Sequence, residues 1–373
     1  MCTALFYFIS HMNTLSQTLP QTAQLLQQGL DDGLHIGAQI YVSQNGTPLV
    51  DDALGEARPN VPMAPETLMP WYSSGKPLTV AVIAQLWEQG YIGLDDPVYY
   101  HLPDFQWHGK EAVTIRHLLT HTAGFRNVLG VQWHKEPWAD ILFKTCGTFL
   151  EPGWAPGAKA GYHPASSWFI LAEIACRRKK RPFSQIVRQD ILEPLHLHNT
   201  YLGMPPEQYR AYGDRIGQMH NAPETYTHWE TEEGATLCRP GGGARGPIRE
   251  LGHFYGALLT GGTPILEPET VTTFTHPQRK NMVDHTFQHI IDWGLGFIVN
   301  SNHHGPNTVP YSFGLHASPD TFGHGGIQSS AAFADPKHNL VVALVCNGMP
   351  GELKHNQRAR ALHTAIYEDL GLS

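Results

Sequence analysis

Apolar residues recur at helical spacing near the start of the chain and then give way to extended stretches. Over residues 14–30 the leucines at positions 15, 19, 25, 26 and 30 predict an N-terminal helix, which Gly29 and Gly33 end. Residues 36–43 and 48–54 have the pattern of strands, and the Asn45-Gly46 pair between them is a strong hairpin signal. The first part of the chain is therefore predicted to run helix, strand, strand.

The pattern turns helical again after Pro77 and stops at Gly90. A middle section rich in proline, tryptophan and histidine then holds further helical segments over residues 113–119, 166–176, 183–191 and 248–259. Strand patterns return over residues 293–299, 329–334 and 340–346, before a final helix over residues 357–370. The two ends of the chain thus predict one α/β lobe, and the middle predicts a helical insertion.

Length and composition support a two-lobed, compact protein. A chain of 373 residues, 41% hydrophobic and 16% charged, is longer than a single core usually grows. The net charge is −8, and the single basic cluster is residues 177–181, which argues against a nucleic-acid-binding surface. The 23 histidines would add positive charge in acid, so low pH is expected to solubilise or unfold the protein.

The cysteines and the N-terminus bear on the compartment. Five scattered cysteines without a C-x-x-C pair predict reduced thiols and a cytoplasmic location; they are Cys2, Cys146, Cys176, Cys238 and Cys346. The apolar patch over residues 4–9 is too short for a signal peptide or a membrane span, and Met12 is a candidate alternative start. No membrane association is expected.

The stretch over residues 71–77 carries the clearest candidate chemistry. Ser73 and Lys76 are three residues apart where a helix is predicted to begin, so the two side chains would lie on the same helix face. A partly buried lysine with a lowered pKa can take the proton of a serine nucleophile, and a helix N-terminus stabilises a developing oxyanion. A Ser-x-x-Lys pair alone is common, however, and an ordinary helix cap is the competing interpretation.

The order of the surrounding segments resembles the serine β-lactamase and penicillin-binding protein superfamily, in particular its branch of class C β-lactamases, carboxylesterases and D-aminopeptidases. Matching segments lie at residues 90–97, 114–124, 193–195, 293–296 and 322–326. The resemblance implies an α/β (α+β) fold, with an antiparallel sheet flanked by N- and C-terminal helices and an inserted, mostly helical domain. Residues 12–77 and 285–373 would form the sheet domain, residues 78–284 the insertion, and the cleft between them the active site.

The resemblance also implies a second motif around Tyr162. This residue stands where the family commonly has the tyrosine of Tyr-x-Asn, and it would exchange protons with Ser73 if the lysine depressed its pKa. A core tyrosine with a satisfied hydroxyl is the alternative. Pro164 replaces the usual asparagine, which removes an amide that would hold Lys76 and a substrate carbonyl.

A third motif is implied at residues 324–326, where the family has Lys-Thr-Gly or a histidine variant. His324 would be mostly neutral at pH 7, so its grip on a substrate carboxylate should be weaker than that of a lysine. Gly325 and Gly326 would let substrate approach the strand closely. The backbone N–H of Ile327, together with that of Ser73, would form the oxyanion hole. Tyr72 completes the expected substrate-binding set, and a surface histidine is the alternative for His324.

These assignments predict an enzyme, a serine hydrolase that acts through an acyl-enzyme, as an esterase or acyltransferase on a small ester or amide. Within the family the alternative is β-lactamase or D-amino-acid peptidase activity; from another class it is a catalytically silent binding or scaffolding relative. The lost asparagine and lysine favour esters. No cofactor or metal is expected, and the sole predicted partner is the small-molecule substrate. The acyl group, the acceptor and the oligomeric state are left open.

Other signals favour structural interpretations. Residues 241–246 spell Gly-x-Gly-x-x-Gly, but flanking prolines and the lack of a preceding strand predict a loop at the mouth of the cleft. His117 and His121 have the i, i+4 spacing of zinc ligands but no third ligand, and solvated loop positions are expected for His196, His198, His303 and His304. Five tryptophans would either wall an acyl pocket or belong to the core: Trp71, Trp133, Trp138, Trp154 and Trp168.

Overall fold

The computed structural model describes residues 14–372, apart from the side chain of Thr225. The interpretations placed on residues 4–9, on Met12 and on Cys2 lie outside this range. The described cysteines, at positions 146, 176, 238 and 346, are free thiols. Within the same range no helix is both long and apolar enough to cross a lipid bilayer.

Helices and strands alternate in blocks along the chain. The helices are α1 (Leu15–Thr18), α2 (Pro20–Asp31), α3 (Lys76–Glu88), α4 (Ile115–Leu119), α5 (Trp138–Cys146), α6 (Ser166–Lys179), α7 (Phe183–Val187), α8 (Pro206–Tyr212), α9 (Glu224–Thr227), α10 (Glu232–Thr236), α11 (Ile248–Leu259), α12 (Pro268–Thr275) and α13 (Glu352–Asp369). The strands are β1 (Gly37–Gln44), β2 (Thr47–Arg58), β3 (Val61–Pro62), β4 (Met69–Pro70), β5 (Tyr201–Leu202), β6 (Ala244–Gly246), β7 (Val283–Asp284), β8 (His289–Ile290), β9 (Ile298–Val299), β10 (Phe322–Gly325), β11 (Ser330–Asp335) and β12 (Leu340–Cys346).

Strands from the two ends of the chain form one antiparallel sheet. Its order is β3-β2-β1-β12-β11-β10-β9, so β12 pairs with β1 across almost the whole sequence, and Ile40 lies opposite Leu344. The predicted hairpin between β1 and β2 is confirmed: Asn45 has φ 51° and Gly46 has φ 75°, and an Asn-Gly pair accepts these positive φ values. The predicted fold class is thus the observed one.

Both faces of the sheet are covered by helices. Alternate residues of β1 face opposite sides, with Ile40 in a core cluster that includes Leu26 of α2 and Ile366 of α13. Tyr41 instead joins the cluster containing Phe254 of α11, on the other face. Burial on both sides explains why β12 is apolar without interruption, since none of its positions faces water.

Two local predictions are wrong. The helix expected over residues 14–30 is broken into α1 and α2, because Pro20 has no N–H to donate and Leu19 before it is non-helical, with φ −129° and ψ 67°. The strand expected over residues 293–299 is confined to β9, because Gly296 turns the chain at φ 84° and donates to the Leu119 carbonyl instead.

The middle of the chain is mostly helical, and α3 lies at its centre. Every residue of α3 from Lys76 to Leu86 is buried, so this helix is enclosed on all sides rather than on one face as its apolar spacing indicates. A small sheet has the order β4-β6-β5, and its strand β4 comes shortly before α3 in the chain. The division of the chain into a sheet domain and an insertion with boundaries at residues 77 and 285 stays a prediction.

Candidate functional site

Ser73 lies in a tight turn that leads directly into α3. Residues Tyr72–Gly75 form a single 3₁₀ turn, and Tyr72 before the serine has φ 47°, a conformation that residues other than glycine rarely adopt. The turn is fixed from both sides: the Trp71 indole N–H donates to the Gly246 carbonyl at 2.9 Å, and Ser330 Oγ donates to the Trp71 carbonyl at 2.7 Å. Strained backbone of this kind is held in place by the surrounding packing.

The amine of Lys76 is buried and contacts three oxygens. Its Nζ lies 2.9 Å from Ser73 Oγ and 2.9 Å from the Pro164 carbonyl, and it also bonds the Gly241 carbonyl. Burial lowers the pKa of Lys76 well below its usual 10.5. No carboxylate among residues 14–372 forms an ion pair with it, so no counter-charge there offsets the desolvation of its charge. Pro164 has no side-chain amide to hold Lys76, and its backbone carbonyl contacts the lysine instead.

Tyr162 meets the same serine from the other side. Its hydroxyl donates to Ser73 Oγ at 2.9 Å, and its ring lies 4.9 Å from Phe287 and 5.8 Å from Trp293, centroid to centroid. The expectation of a depressed pKa is wrong: burial raises the pKa of Tyr162 above its usual 10, so the phenol keeps its proton. The lysine cannot act as a strong counter-charge because its own charged form is disfavoured.

A buried ion pair fixes the backbone at Tyr162. Asp284 Oδ1 accepts from the Tyr162 amide at 3.0 Å and from the amides of Thr286 and Phe287, while its Oδ2 lies 3.1 Å from Arg279. Both charged side chains are almost inaccessible, at 0% and 1%. No motif in the sequence indicated these two residues, because their role depends on contacts that span more than a hundred positions.

The strand β10 forms the other wall of the site. Gly326 approaches the nucleophile turn so closely that a Cβ there would lie 2.4 Å from the Trp71 carbonyl oxygen and 2.2 Å from Ser330 Oγ. Ser74 Oγ donates to the His324 carbonyl at 3.2 Å, which ties this strand to the turn. Neither the Ser73 amide nor the Ile327 amide donates to a backbone acceptor within residues 14–372. Both residues line the same cleft, and the oxyanion hole that they would form stays a prediction.

His324 lines the cleft but is almost completely buried. The residue is 1% exposed, and its Nδ1 lies 2.8 Å from the Gly325 carbonyl oxygen. Burial and the nearby Lys76 lower the pKa of His324 to about 3. The alternative of a surface histidine is therefore wrong, and mild acid would leave this side chain uncharged.

A cleft of about 660 Å³ opens in front of these groups. Ser73, Tyr162, Gly325, Ile327 and Tyr72 all line it, and an aromatic wall of Phe169, Tyr226, Trp229, Phe287 and Tyr311 accompanies them. Trp133 is the one predicted tryptophan on this wall, since Trp71 and Trp168 are fully buried and Trp138 and Trp154 do not line the cleft. Sequence reasoning missed Trp229, which lies 5.8 Å from the Tyr72 ring.

The weaker sequence signals resolve individually. Gly241 and Gly242 lie in a loop that lines the cleft, as expected. His117 and His121 each accept a backbone amide, from Thr114 and from His163, which fits the structural interpretation. His303 and His304 do meet an acid: their Nε2 atoms lie 3.2 and 3.3 Å from the carboxylate oxygens of Asp292, a set that could hold a metal ion.

Comparisons with known proteins agree on one family. The sequence model of the Beta-lactamase family matches residues 22–365. The "Esterase/beta-lactamase LipL" of Mycobacterium tuberculosis (strain ATCC 25618 / H37Rv) is 24% identical over 347 residues, 83% of this chain and 77% of that protein. The mitochondrial "Serine beta-lactamase-like protein LACTB" of Bos taurus is 34% identical over 123 residues, which are 31% of this chain and 22% of that protein.

Solved structures show the same relationship at the level of the fold. A penicillin-binding protein homolog from Caulobacter crescentus superposes with a TM-score of 0.78 at 25% identity, covering 94% of this chain and 97% of that one. A family VIII carboxylesterase superposes with a TM-score of 0.77 at 23% identity, over 94% and 97% of the two chains. With the family model spanning most of its length, the chain belongs to the Beta-lactamase family, within the superfamily of serine β-lactamases and penicillin-binding proteins.

Proposed function

We propose that the protein is a serine hydrolase that works through an acyl-enzyme, as an esterase or acyltransferase on a small ester or amide. The observation that carries the proposal is the convergence of Lys76 Nζ and Tyr162 Oη on Ser73 Oγ, each at 2.9 Å. These are the distances at which a base can take the proton of a nucleophile. Relatives named as esterase, carboxylesterase and β-lactamase are compatible with the same chemistry.

A count of hydrogen-bond donors assigns the base. A neutral amine has two N–H groups and one lone pair. At Lys76 the carbonyls of Pro164 and Gly241 can only accept hydrogen bonds, so each of them takes one of the two N–H groups. The lone pair is then directed at the third neighbour, Ser73 Oγ. Because burial favours the neutral amine, Lys76 is the general base and Tyr162 is a neutral proton donor.

The reaction follows from these positions. Lys76 takes the Ser73 proton as Oγ bonds to the substrate carbonyl carbon, and the carbonyl oxygen becomes an oxyanion that accepts from the N–H groups of Ser73 and Ile327. When the bond to the leaving alcohol breaks, Tyr162 Oη protonates that alcohol, and the proton that Lys76 took from Ser73 passes to Tyr162, which leaves the lysine and the tyrosine neutral again. Water enters by the same steps in reverse and releases the acid; an alcohol entering instead gives acyl transfer.

Esters are the proposed substrates rather than β-lactams. Pro164 offers a carbonyl oxygen and no N–H, and this oxygen is already used by Lys76. His324 is neutral at physiological pH and gives the third motif no cation. Retention of the complete serine, lysine and tyrosine set is also the reason to place a catalytically silent role second.

Active-site labelling tests the proposal directly. A fluorophosphonate should modify Ser73, as located by peptide mass spectrometry, and Ser73→Ala should lose both the adduct and the hydrolysis of p-nitrophenyl butyrate. Ser167→Ala is a matched control, because Ser167 is buried and its hydroxyl has no partner among the described residues. A label on another serine, or esterase activity that survives Ser73→Ala, would overturn the mechanism.

A further inference from the structure

An arginine with no acidic partner lies in the wall of the cleft. Arg239 is 4% exposed and lines the cleft with Gln132, Trp133 and His134. It begins the turn in which its carbonyl accepts from the amides of Gly242 and Gly243, at 3.0 and 2.8 Å. The Gly241 carbonyl in the same turn binds Lys76, so Arg239 is only two residues from a group that touches the catalytic base.

The guanidinium is bound weakly for a buried charge. One nitrogen, Nη2, donates to the Glu136 carbonyl at 2.9 Å, and the group stacks over Phe169 with its carbon 5.9 Å from the ring centre. Nε is buried without a partner among residues 14–372. Nη1 makes no hydrogen bond there either. Unlike Nε it is not fully buried, so it is accessible from the cleft.

Nearby acids do not neutralise Arg239. The carboxylate of Glu136 pairs with Lys144 at 2.7 Å and meets Arg239 through its main-chain oxygen instead. Glu352 lines the cleft at the start of α13 and accepts from the Tyr311 hydroxyl at 2.9 Å. Burial lowers the pKa of Arg239 to about 10, so it remains charged at neutral pH. Arg239 is therefore a charged group in the cleft wall with which no carboxylate of the described residues forms an ion pair.

We propose that the substrate of this enzyme carries a carboxylate, and that Arg239 binds it at the Gln132 to His134 end of the cleft. A buried cation without a counter-ion costs stability, and an anionic ligand that accepts from Nη1 recovers part of this cost. The planar fork of an arginine matches a carboxylate, while Trp133 and Phe169 supply the apolar walls around it. This inference rests on the proposed hydrolase function and adds the chemical class of its substrate.

Matched esters with and without the charge test the inference. One pair carries it on the leaving group, 4-butyryloxybenzoate against its methyl ester, and the other on the acyl chain, mono-p-nitrophenyl adipate against its methyl ester. In at least one pair the acid should have the higher kcat/KM, by about 10- to 100-fold. Arg239→Met should reduce that preference, taken as the ratio of the two kcat/KM values within one protein, to near one, while Arg239→Lys should keep part of it.

The controls separate this inference from the proposed function. Arg210→Met changes an exposed arginine on α8 and should leave the preference as it was. Equal preference in the parent and Arg239→Met proteins, with neutral esters still hydrolysed, would overturn the carboxylate site alone. If no ester is hydrolysed, calorimetric binding of 4-butanamidobenzoate and its methyl ester to Ser73→Ala protein decides: unchanged affinities on adding Arg239→Met would overturn it.

Discussion

At Lys76 and Tyr162 the roles can be tested by removing one polar group at a time. Lys76→Ala and Tyr162→Phe should each lower kcat by roughly 10²- to 10⁴-fold, because each takes part in proton transfer at Ser73. The double variant should lose much less than the product of the two effects, since the two groups act on one proton. Measurement of kcat with p-nitrophenyl butyrate provides the comparison.

Tyr255→Phe is the matched control for that experiment. Tyr255 is fully buried in α11 and its hydroxyl has no partner among the described residues, so its loss should leave kcat as it is. Near-full activity of Tyr162→Phe would return Tyr162 to the role of a core tyrosine.

The residues that replace the family's asparagine and lysine predict a preference between substrate classes. A β-lactam needs a donor for its side-chain carbonyl and a cation for its carboxylate, and Pro164 and His324 supply neither at this wall. Two lost charge-assisted contacts correspond to about 10²- to 10⁴-fold in acylation. We expect kcat/KM for nitrocefin to lie well below that for p-nitrophenyl butyrate. Because burial keeps His324 neutral, lowering the pH to 5 should not improve nitrocefin turnover, and an equal or higher value for nitrocefin would contradict this assignment.

At the scale of an element, the contact between β10 and the nucleophile turn depends on the absence of one side chain. Gly326→Ala would place a methyl group 2.4 Å from the Trp71 carbonyl, so the strand or the turn must move and carry the Ile327 amide with it. Loss of one oxyanion donor costs about 10²- to 10³-fold in kcat. The activity of purified Gly326→Ala protein, with circular dichroism to confirm folding, measures the effect.

Gly256→Ala serves as its counterpart within α11. A Cβ at Gly256 would have no neighbour within 4 Å, so the change should leave kcat unaltered and raise the free energy of unfolding by about 0.5 to 1 kcal/mol. Full activity of Gly326→Ala would show that the close approach is not needed for catalysis.

At the scale of the whole molecule, buried histidines limit stability in acid. Burial lowers the pKa of five of them to about 3 or 4: His35, His163, His324, His355 and His363. Below pH 6.5 the unfolded chain therefore binds protons that the folded protein excludes. Each such group lowers the free energy of unfolding by about 1.4 kcal/mol per pH unit, down to its folded pKa.

Two buried acids act in the opposite direction. Burial raises the pKa of Asp51 to about 6 and of Glu230 to about 7, so the folded protein binds two protons earlier than the unfolded chain. These seven groups alone give a net uptake of about three protons on unfolding between pH 6 and 4.5, which is a slope of about 4 kcal/mol per pH unit, and His121, whose pKa burial also lowers, adds to it. Urea titrations at several pH values should give this slope, and acid unfolding should occur above pH 4. A free energy of unfolding that stays constant from pH 6.5 to 4.5 would contradict the argument.

Local features of the chain were predicted from sequence because they depend on a few neighbouring residues. The Asn45-Gly46 turn needs only two residues that tolerate positive φ, and the apolar period of residues 248–259 gives α11 with its observed bounds. The pairing of Ser73 with Lys76 across one helical turn is another local feature that was predicted from sequence. Pro20 could also have been read locally, as a break in the first helix.

The candidate site as a working unit was decided by tertiary structure. Tyr162 reaches Ser73 from 89 positions away and the Gly241 carbonyl reaches Lys76 from 165 positions away, and no local pattern encodes those contacts. Protonation states followed the same rule: burial lowers the pKa of Lys76, as a base requires, but it raises the pKa of Tyr162, for which the sequence had indicated a depressed value. Residue types and their spacing fix which chemical groups are present, whereas desolvation depends on what packs around them, and this is set only when the sheet and the helical section close over the cleft.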